Sequence, residues 1–104
     1  MNKLKFALIG CGRISANHIK ALIDNYQDAE LVALCDIIND KAELKADEYI
    51  LKAREKNLSV KRPKIFNDYK KMLLEEDLDV CSICTELGYH AKIALNCIAF
   101  KKHI

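Results

Sequence analysis

The sequence predicts an α/β domain: a doubly wound, parallel sheet covered by helices on both faces. Three observations carry this. Short apolar runs recur along the chain and alternate with stretches of helical periodicity. The runs are continuously apolar, as in strands buried on both faces, where a half-exposed strand would alternate apolar and polar residues. The first run ends at a pair of glycines with a helical pattern directly behind it, the layout of a strand–turn–helix unit.

Residues 5–9 (Lys-Phe-Ala-Leu-Ile) read as the first strand and stop at Gly10. Over residues 13–27 the period changes, with Ile19, Leu22, Ile23 and Tyr26 at helical spacing. Residues 31–35 (Leu-Val-Ala-Leu-Cys) make a second buried strand, closed by Asp36. From Asp40 to about Lys56, Ala42, Ala46, Tyr49, Ile50 and Ala53 form one helical stripe, with Glu48 and Lys52 as an i,i+4 pair. Pro63 interrupts a polar stretch, and Ile65-Phe66 is a short third strand. Asn67 or Asp68 caps a helix carrying Tyr69, Met72 and Leu73. Residues 79–84 form a fourth strand, and Ala91, Ala94, Leu95 and Ile98 mark a last helix ending near Lys101. The sheet is thus expected to be incomplete, with four strands and the start of a fifth, in one domain over residues 1–104.

Composition excludes several function classes. The 104 residues are 51% apolar and 31% charged, ordinary for one soluble domain. A formal net charge of +2 is too near neutral to argue for nucleic acid or an acidic surface partner. No apolar stretch approaches the roughly 20 residues of a membrane span, and nothing reads as a targeting signal, so a cytoplasmic location is expected. The cysteines are Cys11, Cys35, Cys81, Cys84 and Cys97, an odd number without a leader, which disfavours a disulfide framework. Cys81 and Cys84 form a C-x-x-C inside an apolar run. Zinc would need a second ligand pair, and strand positions three apart face opposite ways, so no metal site is expected and buried small hydrophobes is the preferred reading.

The chemistry lies in the first turn. Gly10-Cys11-Gly12-Arg13-Ile14-Ser15 follows a strand and opens a helix. Gly10 permits the tight turn, and Gly12 has no side chain to block phosphates. The helix N-terminus offers free N–H groups and the positive end of its dipole to a pyrophosphate. Ser15, followed by Ala16, stands where a third glycine is usual. Asp36 ends the second strand, about 20 residues further on, where a carboxylate accepts from ribose hydroxyls and repels a 2′-phosphate. The pattern points to a Rossmann-type dinucleotide site for NAD rather than NADP. A helix cap or turn residue is the other reading of Asp36, and Arg13 the residue that could instead meet a phosphate. S-adenosylmethionine sites also use Gly-x-Gly turns, commonly as G-x-G-x-G, and Ile14 counts against that.

Three stretches resemble the N-terminal domain of the glucose–fructose oxidoreductase / inositol dehydrogenase family, often called Gfo/Idh/MocA. They are residues 6–18 (Phe-Ala-Leu-Ile-Gly-Cys-Gly-Arg-Ile-Ser-Ala-Asn-His), 31–36, and 78–95 around Cys-Thr-Glu-Leu-Gly-Tyr-His. The resemblance implies that Thr85, Glu86 and their neighbours line the cofactor beyond the pyrophosphate and that His90 shapes that loop. Read alone, Thr85 is a turn hydroxyl and His90 a solvent-facing helix-start residue. Glu86 stands where many members have proline, and Phe100-Lys101 where Ala-Gly is usual.

The cofactor set is therefore Gly10, Gly12, Arg13, Ile14, Asp36, Thr85, Glu86 and His90. No catalytic residue is nominated; Tyr89 and His90 are nearest by position, and His18 is read as structural. The family's Glu-Lys-Pro lysine and its substrate domain are not within these residues. The chain is expected to be the cofactor half of an NAD-dependent oxidoreductase of sugars, nucleotide sugars or polyols, inactive alone. A sugar-like substrate is then expected only in a full-length relative. The alternatives are a stand-alone nucleotide-binding module and a non-functional remnant. An exposed outer edge on the fourth strand would favour self-association.

Overall fold

The computed structural model describes residues 3–11, 15–84, 93 and 95. Strands β1 (Leu4–Ile9), β2 (Ala29–Cys35), β3 (Lys64–Phe66) and β4 (Val80–Ile83) alternate with helices α1 (Ser15–Asp24), α2 (Asn39–Glu55) and α3 (Tyr69–Glu75). The sheet order is β3-β2-β1-β4, and each neighbouring pair is parallel. Ile93 and Leu95 are helical, in the region read as the last helix. The expected start of a fifth strand lies outside the described residues.

The strands are mostly apolar because both faces are covered along most of their length, with Lys5, Glu30, Lys64 and Ser82 as the exceptions. Along β1 the side chains alternate: Phe6 and Leu8 pack with Ile19, Leu22 and Ile23 of α1 and the alanine stripe of α2, whereas Ala7 and Ile9 pack with Met72 and Leu73 of α3 and with Ile93. Strand β2 does not hold this alternation. Phe6 pairs with Leu31 but Ala7 with Ala33, so Val32 is an extra residue. This bulge puts Val32 and Ala33 in succession on the α3 side, while Ala29, Leu31 and Leu34 face α1 and α2.

Helix ends follow local chemistry. Asp68 caps α3, accepting from the Lys70 N–H at 3.0 Å. Helix α2 closes with Asn57 in the left-handed region, φ 57°, so that Asn57 and Leu58 N–H reach back to the Arg54 and Ala53 carbonyls. Those two bonds make a Schellman closure. Helix α1 ends at Asp24, earlier than its apolar spacing suggests. Tyr26 lies in the following turn, with the Lys3 ammonium 3.5 Å from its ring centroid. Glu48 pairs with Lys45, at 3.4 Å, instead of with Lys52. The partly buried Lys45 lies one turn back on the same face and holds the carboxylate there.

Strand β3 pairs only with residues 33–35 of β2, which leaves the first half of β2 without a strand on that side. The buried Tyr49 of α2 fills the gap, its hydroxyl accepting from the Leu31 N–H at 3.3 Å. Replacing it leaves a buried donor unsatisfied. Tyr49→Phe is therefore expected to cost about 1–3 kcal/mol in urea unfolding. Asn57→Ala should cost about 1 kcal/mol, and Asn57→Gly close to nothing, because only the alanine pays for the left-handed backbone.

Candidate functional site

Topology places the crevice before any side chain is considered. The connections β1-α1-β2 and β2-α2-β3 run outward along one face; β3-α3-β4 returns across the other and pairs β4 with the far edge of β1. Right-handed crossovers make this reversal put the connection after β1 and that after β4 on opposite faces. The carboxyl ends of β1 and β4 therefore border the switch-point crevice in which open α/β sheets bind ligands.

Three segments meet there. Gly10 leaves β1 with φ 89°, a backbone position that disfavours any Cβ, and its N–H donates to the Cys35 carbonyl at 2.7 Å. Cys11, next in the turn, donates its N–H to Asp36 Oδ2 at 2.8 Å. The other carboxylate oxygen, Oδ1, accepts from the Ile38 N–H at 2.8 Å. Asp36 is itself held by its N–H to the Phe66 carbonyl at 3.0 Å. From the other side, Cys84 N–H donates to the Ile9 carbonyl at 2.7 Å, so the end of β4 is tied to the end of β1. One carboxylate thus joins the glycine turn to the entrance of α2.

Of the predicted cofactor residues, the structure brings Gly10 and Asp36 together at this edge. Gly12, Arg13, Ile14, Thr85, Glu86 and His90 lie outside the described residues. The bond from the Ile38 N–H fits the cap or turn reading of Asp36, whereas its second bond, from the Cys11 N–H across to the glycine turn, was missed by sequence reasoning. The signal for the first was present in outline, since an Asp two residues before a helix N-cap is a common acceptor for the N-cap N–H.

Clefts elsewhere on the molecule lack this chemistry. One, of about 530 Å³, opens at the amino ends of the strands among Lys3, Lys5, Glu30, Asp77 and Asp79. Its charges bond one another: Lys5 Nζ pairs with Asp77 at 2.9 Å, and Asp79 accepts from the Lys5 N–H at 2.8 Å. It is a charged surface groove on the edge opposite the glycine turn.

Cys11, Cys35, Cys81 and Cys84 behave as packing residues, and Cys97 lies outside the described residues. Cys81 is buried on the α3 side and Cys84 packs against the α1–α2 side, so the C-x-x-C pair points to opposite faces. Among the described residues no group of three His, Cys, Asp or Glu side chains could hold a metal ion. Nor, among them, is any helix long and apolar enough to cross a membrane. Burial first, then the nearby Asp36 carboxylate, push the Cys11 and Cys35 thiols up to about 12. Burial also raises Cys84.

Comparison with known proteins gives this arrangement its context. A family model described as an oxidoreductase family with an NAD-binding Rossmann fold matches residues 4–104. An inositol 2-dehydrogenase of Salmonella paratyphi B is 27% identical over 101 residues, covering 97% of this chain and 27% of that protein. A D-apiose dehydrogenase of Paraburkholderia graminis is 36% identical over 93 residues, 89% of this chain and 22% of that protein. Among solved structures, the WlbA dehydrogenase of Chromobacterium violaceum, in complex with NADH and UDP-GlcNAcA, superposes with a TM-score of 0.84. It is 27% identical, over 99% of this chain and 26% of that one. The chain spans about a quarter of the length of these relatives.

Thiol reactivity tests the site's packing directly. Burial pushes the Cys11 thiol up to about 12, so it is almost wholly protonated at pH 8. Native alkylation with iodoacetamide, read by peptide mass spectrometry, should modify the half-buried Cys84 before Cys11 or Cys35. Labelling of Cys11 first would mean that the turn is open.

Proposed function

The chain belongs to the Gfo/Idh/MocA oxidoreductase family, with its NAD-binding Rossmann fold, and on that premise we propose that it is the cofactor-holding part of an NAD-dependent oxidoreductase. The whole protein would act on a hydroxyl or carbonyl of a sugar, nucleotide sugar or polyol. That substrate class comes from the relatives, whose names specify inositol and apiose dehydrogenases and whose solved WlbA member carries a nucleotide sugar. The bound nicotinamide supplies a hydride acceptor or donor. The residues of this chain bind and orient it, and none of them is proposed as the acid or base.

One observation carries the reading: a carboxylate at the end of β2 lies beside a positive-φ glycine turn at the switch point. The turn suits a pyrophosphate, because Gly10 adopts a backbone that a side chain would oppose, and α1 starts directly behind it at Ser15. Asp36 suits an adenosine ribose. An ionised carboxylate offers about four lone-pair sites, and the Cys11 and Ile38 N–H groups occupy two, leaving two for the 2′- and 3′-hydroxyls. The same negative charge opposes a 2′-phosphate, which supports NAD over NADP. Gly12, Arg13 and Ile14 complete the proposed pyrophosphate cradle, with Thr85, Glu86 and His90 on the β4 side of the cofactor.

Two substitutions test this by calorimetric titration. Asp36→Ala should weaken NADH by about tenfold or more, the loss of charge-assisted hydrogen bonds, and should shift the NADH/NADPH ratio toward NADPH. An unchanged ratio removes Asp36 from the ribose site. Gly12→Val should abolish binding of both dinucleotides while leaving the unfolding transition in place, and full retention refutes the phosphate-turn assignment.

A further inference from the structure

Asp36 already does a job in the structure that needs no ribose. Its two oxygens accept, each at 2.8 Å, the N–H of Cys11 inside the glycine turn and the N–H of Ile38 at the N-cap of α2. The Cys11 residue is 5% exposed, so its N–H has little access to water as a substitute. Helix α2 has no side-chain cap from Ile38, and Asp36 two residues earlier supplies the acceptor instead. The neighbouring bond, Gly10 N–H to the Cys35 carbonyl, fixes only the first residue of the turn. The Cys11 thiol also donates to the Cys35 carbonyl, at 3.8 Å, and the Asp36 carboxylate is what holds the Cys11 backbone N–H.

We propose that Asp36 is a positioning residue for the glycine turn, holding its backbone in the phosphate-accepting geometry independently of any contact with adenosine ribose. The inference rests on the reading of this turn as a pyrophosphate site, but assigns Asp36 a second and separable role. The geometry favours an anion specifically. Two backbone donors converge on one side chain from two loops, and both can be satisfied only if both terminal atoms accept. Asparagine cannot do this. Whichever way its amide is turned, its NH2 faces one of the two N–H donors. Asp36→Asn, nearly identical in shape, therefore loosens either the turn or the α2 entrance.

The two roles separate when the ligand is changed along with the protein. The probes are ADP and 2′,3′-dideoxy-ADP, which share adenine and pyrophosphate and differ in the two ribose hydroxyls. Affinities for the unmodified chain and for Asp36→Asn form a four-point cycle in calorimetry, well below the unfolding transition. The expected result is that Asp36→Asn weakens dideoxy-ADP about tenfold, as loss of a charge-assisted bond to the turn would, and weakens ADP by a larger factor. Unchanged affinity for dideoxy-ADP overturns the positioning role even if ADP is weakened, and then only the ribose contact stands. Equal affinities of the unmodified chain for ADP and dideoxy-ADP remove the ribose contact, while the variant's effect on dideoxy-ADP still decides the positioning role. Failure of the unmodified chain to bind either nucleotide overturns both. Should Asp36→Asn not fold, the unmodified chain supplies the second measurement: a trans-hydrogen-bond NMR coupling from the Cys11 amide nitrogen to Asp36 Cγ, expected with dideoxy-ADP bound. Its absence overturns the proposal.

Discussion

A parallel sheet with both faces covered leaves the chain one way to change direction, and that constraint organises the molecule. Each crossover must be right-handed, so helices on one face carry the chain one way along the sheet and helices on the other bring it back. Here the return crosses behind β1: α1 and α2 lie on one side, α3 and Ile93 on the other. Strand β1 is consequently paired along both edges, with β2 and with β4. Its carboxyl end is where loops diverge to opposite faces. The glycine turn sits in that gap because the gap exists; the residues in it determine only what it holds.

The gap has to be kept in shape with little regular structure to do it. Among the described residues one backbone bond joins the ends of β1 and β4 across it, Cys84 to Ile9, while Gly10 to Cys35 and Asp36 to Phe66 tie the ends of β1, β2 and β3 beside it. All three use backbone groups and extend the sheet's own ladder by a residue. The Asp36 carboxylate is different in kind, because it reaches off the ladder into a turn and a helix entrance at once. A ligand site commonly asks one residue to contact the ligand and others to support that residue. At the end of β2 one side chain makes the support, and on the proposed function the contact too.

Much of this was legible in the sequence, for identifiable reasons. Largely apolar runs marked β1, β2 and β4, since strands covered on both faces have little polar side to break the signal, whereas β3 showed only as the pair Ile65-Phe66, neither of which is fully buried. The stripe Ala42, Ala46, Tyr49, Ile50, Ala53 marked α2, with all but the half-buried Ile50 fully buried, and of the two candidate caps Asn67 and Asp68 the structure uses Asp68 at the start of α3. Gly10 and Asp36 were found by motif and are neighbours in space. What the sequence concealed is what depends on pairing rather than on pattern. The bulge at Val32 is invisible in a run of five apolar residues, because either face accepts any of them. The early end of α1 was masked by Tyr26, which sits at helical spacing but is held in the turn by Lys3 and by its hydroxyl's bond to the Ser59 carbonyl. The choice of Lys45 over Lys52 by Glu48 depends on burial, which spacing does not register. The bond from Cys11 to Asp36 belongs to the same class, while the bond from Ile38 fits the cap or turn reading: a motif names the residue and cannot say which N–H of another loop will point at it.

These bonds also bear on how a site of this kind would tell NAD from NADP. A carboxylate on a free side chain can rotate away from an incoming phosphate, which weakens discrimination to whatever rotation costs. Asp36 cannot turn without giving up a 2.8 Å bond to the glycine turn or to the entrance of α2. A 2′-phosphate would therefore meet a negative charge that yields only by disturbing the cradle for the pyrophosphate. Rejection and binding are coupled through one side chain, so on the proposed reading a simple loss of the charge cannot produce a good NADP site. It would remove the repulsion and loosen the turn that both cofactors need. Reversing the preference would take a second acceptor for the Cys11 N–H as well as a cation for the phosphate. On the proposed function, specificity at the end of β2 and the shape of the turn after β1 are one constraint.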